Sequence, residues 1–151
     1  MNKLELVQQA IKTNEPEETL QLLYLQNDFK PAKHINPLTK KVFHGKNVWT
    51  LEITMLLNGY NSFEWSTFAQ YRNNNNKVNK GEKGTSLTLA VFNTVKNDKG
   101  EKEEQLQFFK SYTVFNKEQT AETTEARKEN IKEIIEPKQQ TLWADKYAVV
   151  A

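Results

Sequence analysis

His34 and His44 are the only imidazoles in this 151-residue chain. Neither stands in an HExxH spacing or beside a local carboxylate cluster, so no zinc site is expected. Both read as polar loop residues able to contact a phosphate. The chain has no cysteine, which excludes thiolate ligation and a disulfide framework. The segment Gly81-Glu82-Lys83-Gly84-Thr85-Ser86 has the residue types of a phosphate-binding loop but not the four-residue gap before Gly-Lys-Ser/Thr that lets backbone amides surround a phosphate. Its two glycines predict instead a tight turn displaying Lys80 and Lys83. With no nucleophile, base or ligand set, the expectation is a non-catalytic protein with no cofactor.

The aromatic residues carry more information. Trp49, Tyr60, Phe63, Trp65, Phe68 and Tyr71 fall in a window flanked by Lys40, Lys41, Lys46, Arg72, Lys77, Lys80 and Lys83. Bases stack on exposed rings while cations follow the phosphate backbone, which is how proteins hold single strands. Most such rings are core in an ordinary domain. Phe68 has helical spacing and is expected in the core, whereas Tyr60 and Phe63, next to Gly59, are the better candidates for exposure. Charge agrees with this window. Residues 30–83 hold nine bases against three acids, while residues 1–29 are net −3 and the remainder net −1. A basic centre of this kind fits a polyanion partner, although lysine-rich loops are also often merely solvated.

The elements that must position these groups follow from periodicity. Leu4, Val7 and Ile11 predict a helix over about 2–13. Asn14 and Glu17 resemble a capping pair for a second helix that begins near Pro16 and runs to about Gln26. Two prolines make 28–46 a loop, with a short hairpin around Pro37 to Lys40. Asn47 is expected to cap a helix whose Val48, Leu51, Met55 and Leu56 face the core and whose stop is Asn58-Gly59. Thr67 and Gln70 form a capping box for a short helix ending at Arg72 or Asn73, and Asn73 to Asn76 read as exposed loop. Leu87, Leu89 and Val91 alternate as in a half-buried strand. After a turn at Asn97-Asp98-Lys99-Gly100 a second strand returns, with Leu106, Phe108, Tyr112 and Val114 near one face and Phe109, Thr113 and Phe115 on the other. The acidic segment from Lys117 has Ile131, Ile134 and Ile135 as apolar anchors and predicts a surface helix ended by Pro137. The expected class is α+β, with N-terminal helices packed on a small antiparallel sheet that includes a long hairpin.

Several motifs then fall in a recognisable order: Gly45-Lys46-Asn47; Gly59-Tyr60; Trp65-Ser66-Thr67-Phe68-Ala69-Gln70; Val78-Asn79-Lys80-Gly81-Glu82-Lys83-Gly84; and Tyr112-Thr113-Val114-Phe115-Asn116 with Gln119. Over roughly residues 28–120 this series resembles the N-terminal single-stranded-DNA-binding domain of ArdC-type antirestriction proteins, which is also found in some plasmid primases. The resemblance implies non-specific binding of single-stranded DNA in a mobile-element or phage setting. Larger family members continue into a zinc-metallopeptidase-like domain with an HExxH helix; no such motif occurs here, so peptidase activity is not implied. Asn79 stands where the family often has a basic residue.

On this reading residues 1–27 are a helical N-terminal extension, 28–120 the binding domain, and 121–151 an acidic, partly helical tail. The residues expected to contact DNA are Lys40, Lys41, Lys46, Asn47, Tyr60, Phe63, Trp65, Arg72, Lys77, Lys80 and Lys83. The alternative partner is a host restriction or defence protein, inhibited by direct contact. The N-terminus lacks the apolar run of a secretory signal and no stretch reaches membrane-spanning length, so a cytoplasmic location is expected.

Overall fold

Asn2 starts α1 (Lys3–Ala10), its side chain accepting a hydrogen bond from the Glu5 N–H at 2.8 Å. Helix α2 (Pro16–Gln26) places its proline in the first turn, where no N–H is required. The expected Asn14–Glu17 cap does not form. Glu15 occupies the cap position without a side-chain hydrogen bond, and Glu17 and Glu18 instead set negative charge at the positive end of the helix. A short hairpin, β1 (Ile35–Asn36) with β2 (Lys41–Val42), follows at the expected place.

The best-buried helix is α3 (Lys46–Asn58), which ends at Gly59 in the left-handed conformation. Its N-cap is Gly45, one of two corrections the structure makes to this element. Asn47 lies inside the first turn, and its amide forms a two-way bond with the Thr88 backbone, 2.8 Å to the carbonyl and 3.1 Å from the N–H. Val48 and Leu56 are only half-buried, whereas Ile53 and Leu57 join Leu51 and Met55 inside. One side of α3 meets Leu6, Val7, Ala10, Ile11, Leu20 and Tyr24 of the first two helices. The other side packs Leu51 and Met55 on Trp65, Leu87 and Val114 of the sheet. Residues read as an extension thus share a core with α3.

The structure, a computed structural model, describes residues 1–123 and 149–150. The tail helix expected around Ile131, Ile134 and Ile135 lies outside the described residues. Strands β3 (Trp65–Ser66), β4 (Lys83–Lys96), β5 (Lys102–Asn116) and β6 (Val149–Val150) form a sheet in the order β3-β5-β4-β6, with α4 (Phe68–Asn73) between β3 and β4. The pairings are antiparallel. The fold is therefore α+β with a long β4–β5 hairpin.

Within the hairpin two expectations change. The glycines before β4 have different roles: Gly81 has a φ of 84°, but Gly84 lies in β4, where a Cβ would strike the side chains of Thr113 and Phe115. The alternation of apolar residues does not make the whole ribbon half-buried. Leu87 and Val114 are buried at its base, but Leu89, Phe92, Leu106, Phe108 and Phe109 are all exposed beyond it. A bulge explains part of the misplacement. Val91 pairs with Phe108 and Phe92 with Leu106, so Gln107 is an extra residue and Leu106 shares a face with Phe109 rather than with Phe108.

Candidate nucleic-acid interface

The short helix α4 is fastened at both ends. The Thr67 hydroxyl accepts from the Gln70 N–H at 3.2 Å and the Gln70 side chain accepts from the Thr67 N–H at 2.9 Å, completing the expected capping box. The same Gln70 oxygen accepts from the Asn36 amide at 2.9 Å, and Asn36 in turn accepts from the Ser66 hydroxyl and from the N–H groups of Leu38 and Thr39. These bonds tie the β1–β2 turn, with Lys40 and Lys41, to the start of α4. Tyr71 is the buried side of the helix. Its hydroxyl donates to the Phe115 carbonyl at 2.9 Å, and burial raises its phenol above the ordinary value. Phe68 and Arg72, one turn apart, are left facing solvent, with Phe68 52% exposed.

A second basic turn leaves the far end of α4. Val78 packs on Tyr71 and Phe115. The Asn79 N–H bonds the Gln119 carbonyl at 2.9 Å and the Ala121 N–H bonds the Lys77 carbonyl at 2.7 Å. Gln119 also donates to the Lys83 carbonyl at 2.7 Å. With its backbone held in this way, the turn exposes Lys77 and Lys80, while Lys83 is half-buried at the start of β4. The helix therefore lies between two lysine-bearing turns of fixed backbone.

The other expected contacts separate. Lys46 is exposed but lies 3.6 Å from Glu18. Asn47 is engaged with Thr88. Trp65 is 0% exposed and cannot stack on a base, a correction forced by its place in the α3–sheet core. Tyr60 is half-buried with its ring edge-on to Trp65. Phe63 is exposed and lines a cleft of ≈ 530 Å³ whose charged walls are Glu64, paired with Lys117 at 3.5 Å, and the carboxylates of Glu118 and Glu122, so acids outnumber cations there. Phe68 was expected in the core and is instead the exposed ring beside the cations. A six-residue helix has too few positions to define an inward face by periodicity; the usable signal was that Tyr71 alone suffices as its anchor.

His34 is likewise corrected, because it is fully buried and out of reach of any phosphate. The Trp65 indole N–H donates to His34 Nδ1 at 3.0 Å, so the Nε2–H faces Glu52 Oε1 at 2.9 Å. Glu52 also accepts from the Tyr24 hydroxyl at 2.6 Å and the Ala32 N–H at 3.0 Å, with Lys3 Nζ 3.6 Å away. Burial alone would raise the Glu52 carboxyl, but the bonds from His34, Tyr24 and Ala32 outweigh it and hold the pKa below the usual range. Burial and Glu52 push the Tyr24 phenol up. This network is saturated and closed. His44 is exposed. Among the described residues no group of three or more His, Cys, Asp or Glu is placed to hold a metal ion, and no helix is long and apolar enough to cross a membrane.

Residues 11–115 match the family described as the N-terminal domain of anti-restriction factor ArdC. The chain belongs to that family. The match begins inside the segment read as an extension and ends within β5. Among solved structures, the metal-free antirestriction ArdC protein from R388 plasmid is 23% identical, with a TM-score of 0.47, covering 79% of this chain and 41% of that one. Its Mn(II)-bound structure is 26% identical, with a TM-score of 0.45, covering 66% and 37%. The chain thus spans well under half the length of that protein. No curated protein gives a match.

Proposed function

We propose that this domain binds single-stranded DNA on the exposed face of α4, in the service of DNA protection against restriction in a mobile-element or phage setting. The supporting observation is the position of Phe68 and Arg72 on a solvent face between the Lys40–Lys41 turn and the Lys77–Lys80 turn. A base stacked on Phe68 contributes about 1–3 kcal/mol and does so with little regard to sequence. Lysines on both sides track phosphates by releasing counterions. The reading assigns no reaction and no cofactor, and it places the protein in the cytoplasm with its DNA. Titration of a labelled oligonucleotide, single-stranded against duplex and at two salt concentrations, tests it. Tighter binding of the single strand that weakens steeply with salt is the expected result; equal affinity for duplex, or affinity flat with salt, overturns it.

A second reading, inhibition of a host defence protein by contact, is favoured by one feature. Leu22 and Leu25 project from α2 into solvent beside a cleft of ≈ 420 Å³ lined by Tyr24, Phe29, Pro31 and Trp49. If Leu22→Ser with Leu25→Ser abolished protection in cells but left oligonucleotide affinity intact, this reading would replace the first.

A further inference from the structure

Lys40 closes the β1–β2 turn in the left-handed conformation, at a φ of 60°. Among the described residues the other non-glycine positions with positive φ are Asp28 and Asn75, whose short polar side chains suit that region. A lysine has no such compensation, and glycine is the residue a hairpin turn ordinarily places there. The turn nevertheless cannot relax. The Lys40 N–H donates to the Asn36 carbonyl at 2.8 Å, and the Asn36 carboxamide, in a residue 8% exposed, is engaged at both ends. Its oxygen accepts from the Ser66 hydroxyl at 2.9 Å and from the Leu38 and Thr39 N–H groups at 3.1 and 3.3 Å. Its nitrogen donates to Gln70 Oε1, which accepts from the Thr67 N–H as well and so belongs to the cap of α4. The Lys40 side chain itself is exposed, and neither it nor Lys41 pairs with a carboxylate among the described residues, in contrast to Lys46 beside Glu18.

We infer that this turn is a preformed phosphate grip, in which Asn36 and Gln70 are positioning residues that hold Lys40 on a phosphate of the same strand whose base stacks on Phe68; the inference rests on the single-strand reading of α4. An exposed, unpaired lysine adds almost nothing to folding stability, so nothing within the fold offsets its left-handed backbone. Strain that the surrounding bonds over-determine is characteristic of sites that meet a ligand. The hydrogen bonds agree. Gln70 lies two residues from Phe68 in α4, and one oxygen of its side chain both caps that helix and holds Asn36. The ring and the cation therefore stand on backbones joined by buried and half-buried amides rather than on independent loops. A strand that meets both has little loop ordering to oppose its binding.

Binding of a labelled oligothymidylate and thermal melting, both measured on the full chain, test this with Lys40→Gly and Lys40→Ala. Glycine removes both the strain and the cation, alanine the cation alone. Lys40→Gly should therefore melt above Lys40→Ala. Both should bind several-fold more weakly than the wild type at low salt and flatten the salt dependence by about 0.7 log units per log unit of salt. The role of Gln70 is read from a double-mutant cycle: in a Gln70→Leu background the affinity lost on Lys40→Gly should shrink, because the lysine is no longer held against the strand. A Gln70 that only supported α4 would lower the melting temperature and leave that loss unchanged, which overturns the positioning role. A glycine variant that binds like the wild type, or melts no higher than the alanine one, also overturns the inference. Phe68→Ala separates its failure from that of the reading beneath it. If the wild type prefers the single strand and Phe68→Ala weakens binding while Lys40→Gly does not, the strand leaves α4 by another side; if the wild type shows no such preference, both fall.

Discussion

The buried set Tyr24, His34, Glu52 and Trp65 and the exposed set Phe68, Arg72, Lys77 and Lys80 are both mixtures of aromatic and charged side chains. They differ in what satisfies them. In the first set each polar atom has a partner inside the protein, and Glu52 alone accepts from Tyr24, His34 and Ala32. In the second the backbone is held in place by neighbours while the side chains point outward. A closed network stabilises a fold, whereas cations and a ring on a fixed backbone are available to a ligand. Reading residue types without their partners confuses the two, as happened with His34 and Trp65.

The largest effect that distinguishes the sets is expected at Glu52. Glu52→Ala leaves His34, Tyr24 and the Ala32 N–H without their acceptor and should cost about 3–5 kcal/mol of stability, measured by denaturant unfolding. Acid titration sharpens the same test. Because the folded pKa of Glu52 is depressed, its contribution is complete above the unfolded carboxyl value of about 4.3 and is lost as pH falls through the lower folded value. The midpoint of the wild type should therefore decline below about pH 4 more steeply than that of Glu52→Ala. Parallel declines would remove the network from the account.

Gly84→Ala is the next largest. The added methyl meets Thr113 and Phe115 in a packed strand pair, and overpacking of this kind costs about 1–3 kcal/mol. Thermal melts should show it, with no change in the DNA affinity of the folded protein at low temperature.

Phe68→Ala should invert that pattern, losing about 1–3 kcal/mol of single-strand binding while stability moves by no more than about 0.5 kcal/mol. If the change unfolds the domain, the exposed face of α4 has been misjudged.

How much of this could be seen in the sequence depends on the range of the interactions. The Thr67–Gln70 box and the Gly59 stop involve residues within a turn of each other, and both were legible. Asn47 has the chemistry of a cap, but a partner forty-one residues away at Thr88 takes its amide. Nothing local to His34 indicates Glu52 or Trp65. Leu106 was assigned by strict alternation, which one bulged residue reverses. Two basic turns around α4 were present in the composition, but their adjacency depends on Asn36 reaching Gln70 and on Val78 reaching Phe115, contacts between segments that no period connects.

The smallest expected effect belongs to the lysines, and it separates electrostatics from stacking. Lys77 and Lys80 are exposed at the turn, so replacing both with alanine should change stability by no more than about 0.5 kcal/mol. Single-strand affinity should fall several-fold at low salt. The more telling quantity is the slope. Each phosphate contact on a single strand contributes about 0.7 log units of affinity per log unit of salt, so losing two should flatten the dependence by about 1.4. The two affinity curves then converge as salt rises, because screening removes from the wild type what the substitution removed from the variant. Phe68→Ala should instead leave the slope unchanged and lower the whole line, since a stacked base releases no counterion. If the double lysine variant keeps the wild-type slope, the strand does not cross the Lys77–Lys80 turn, and the basic side of the interface has to be sought at Lys40 and Lys41.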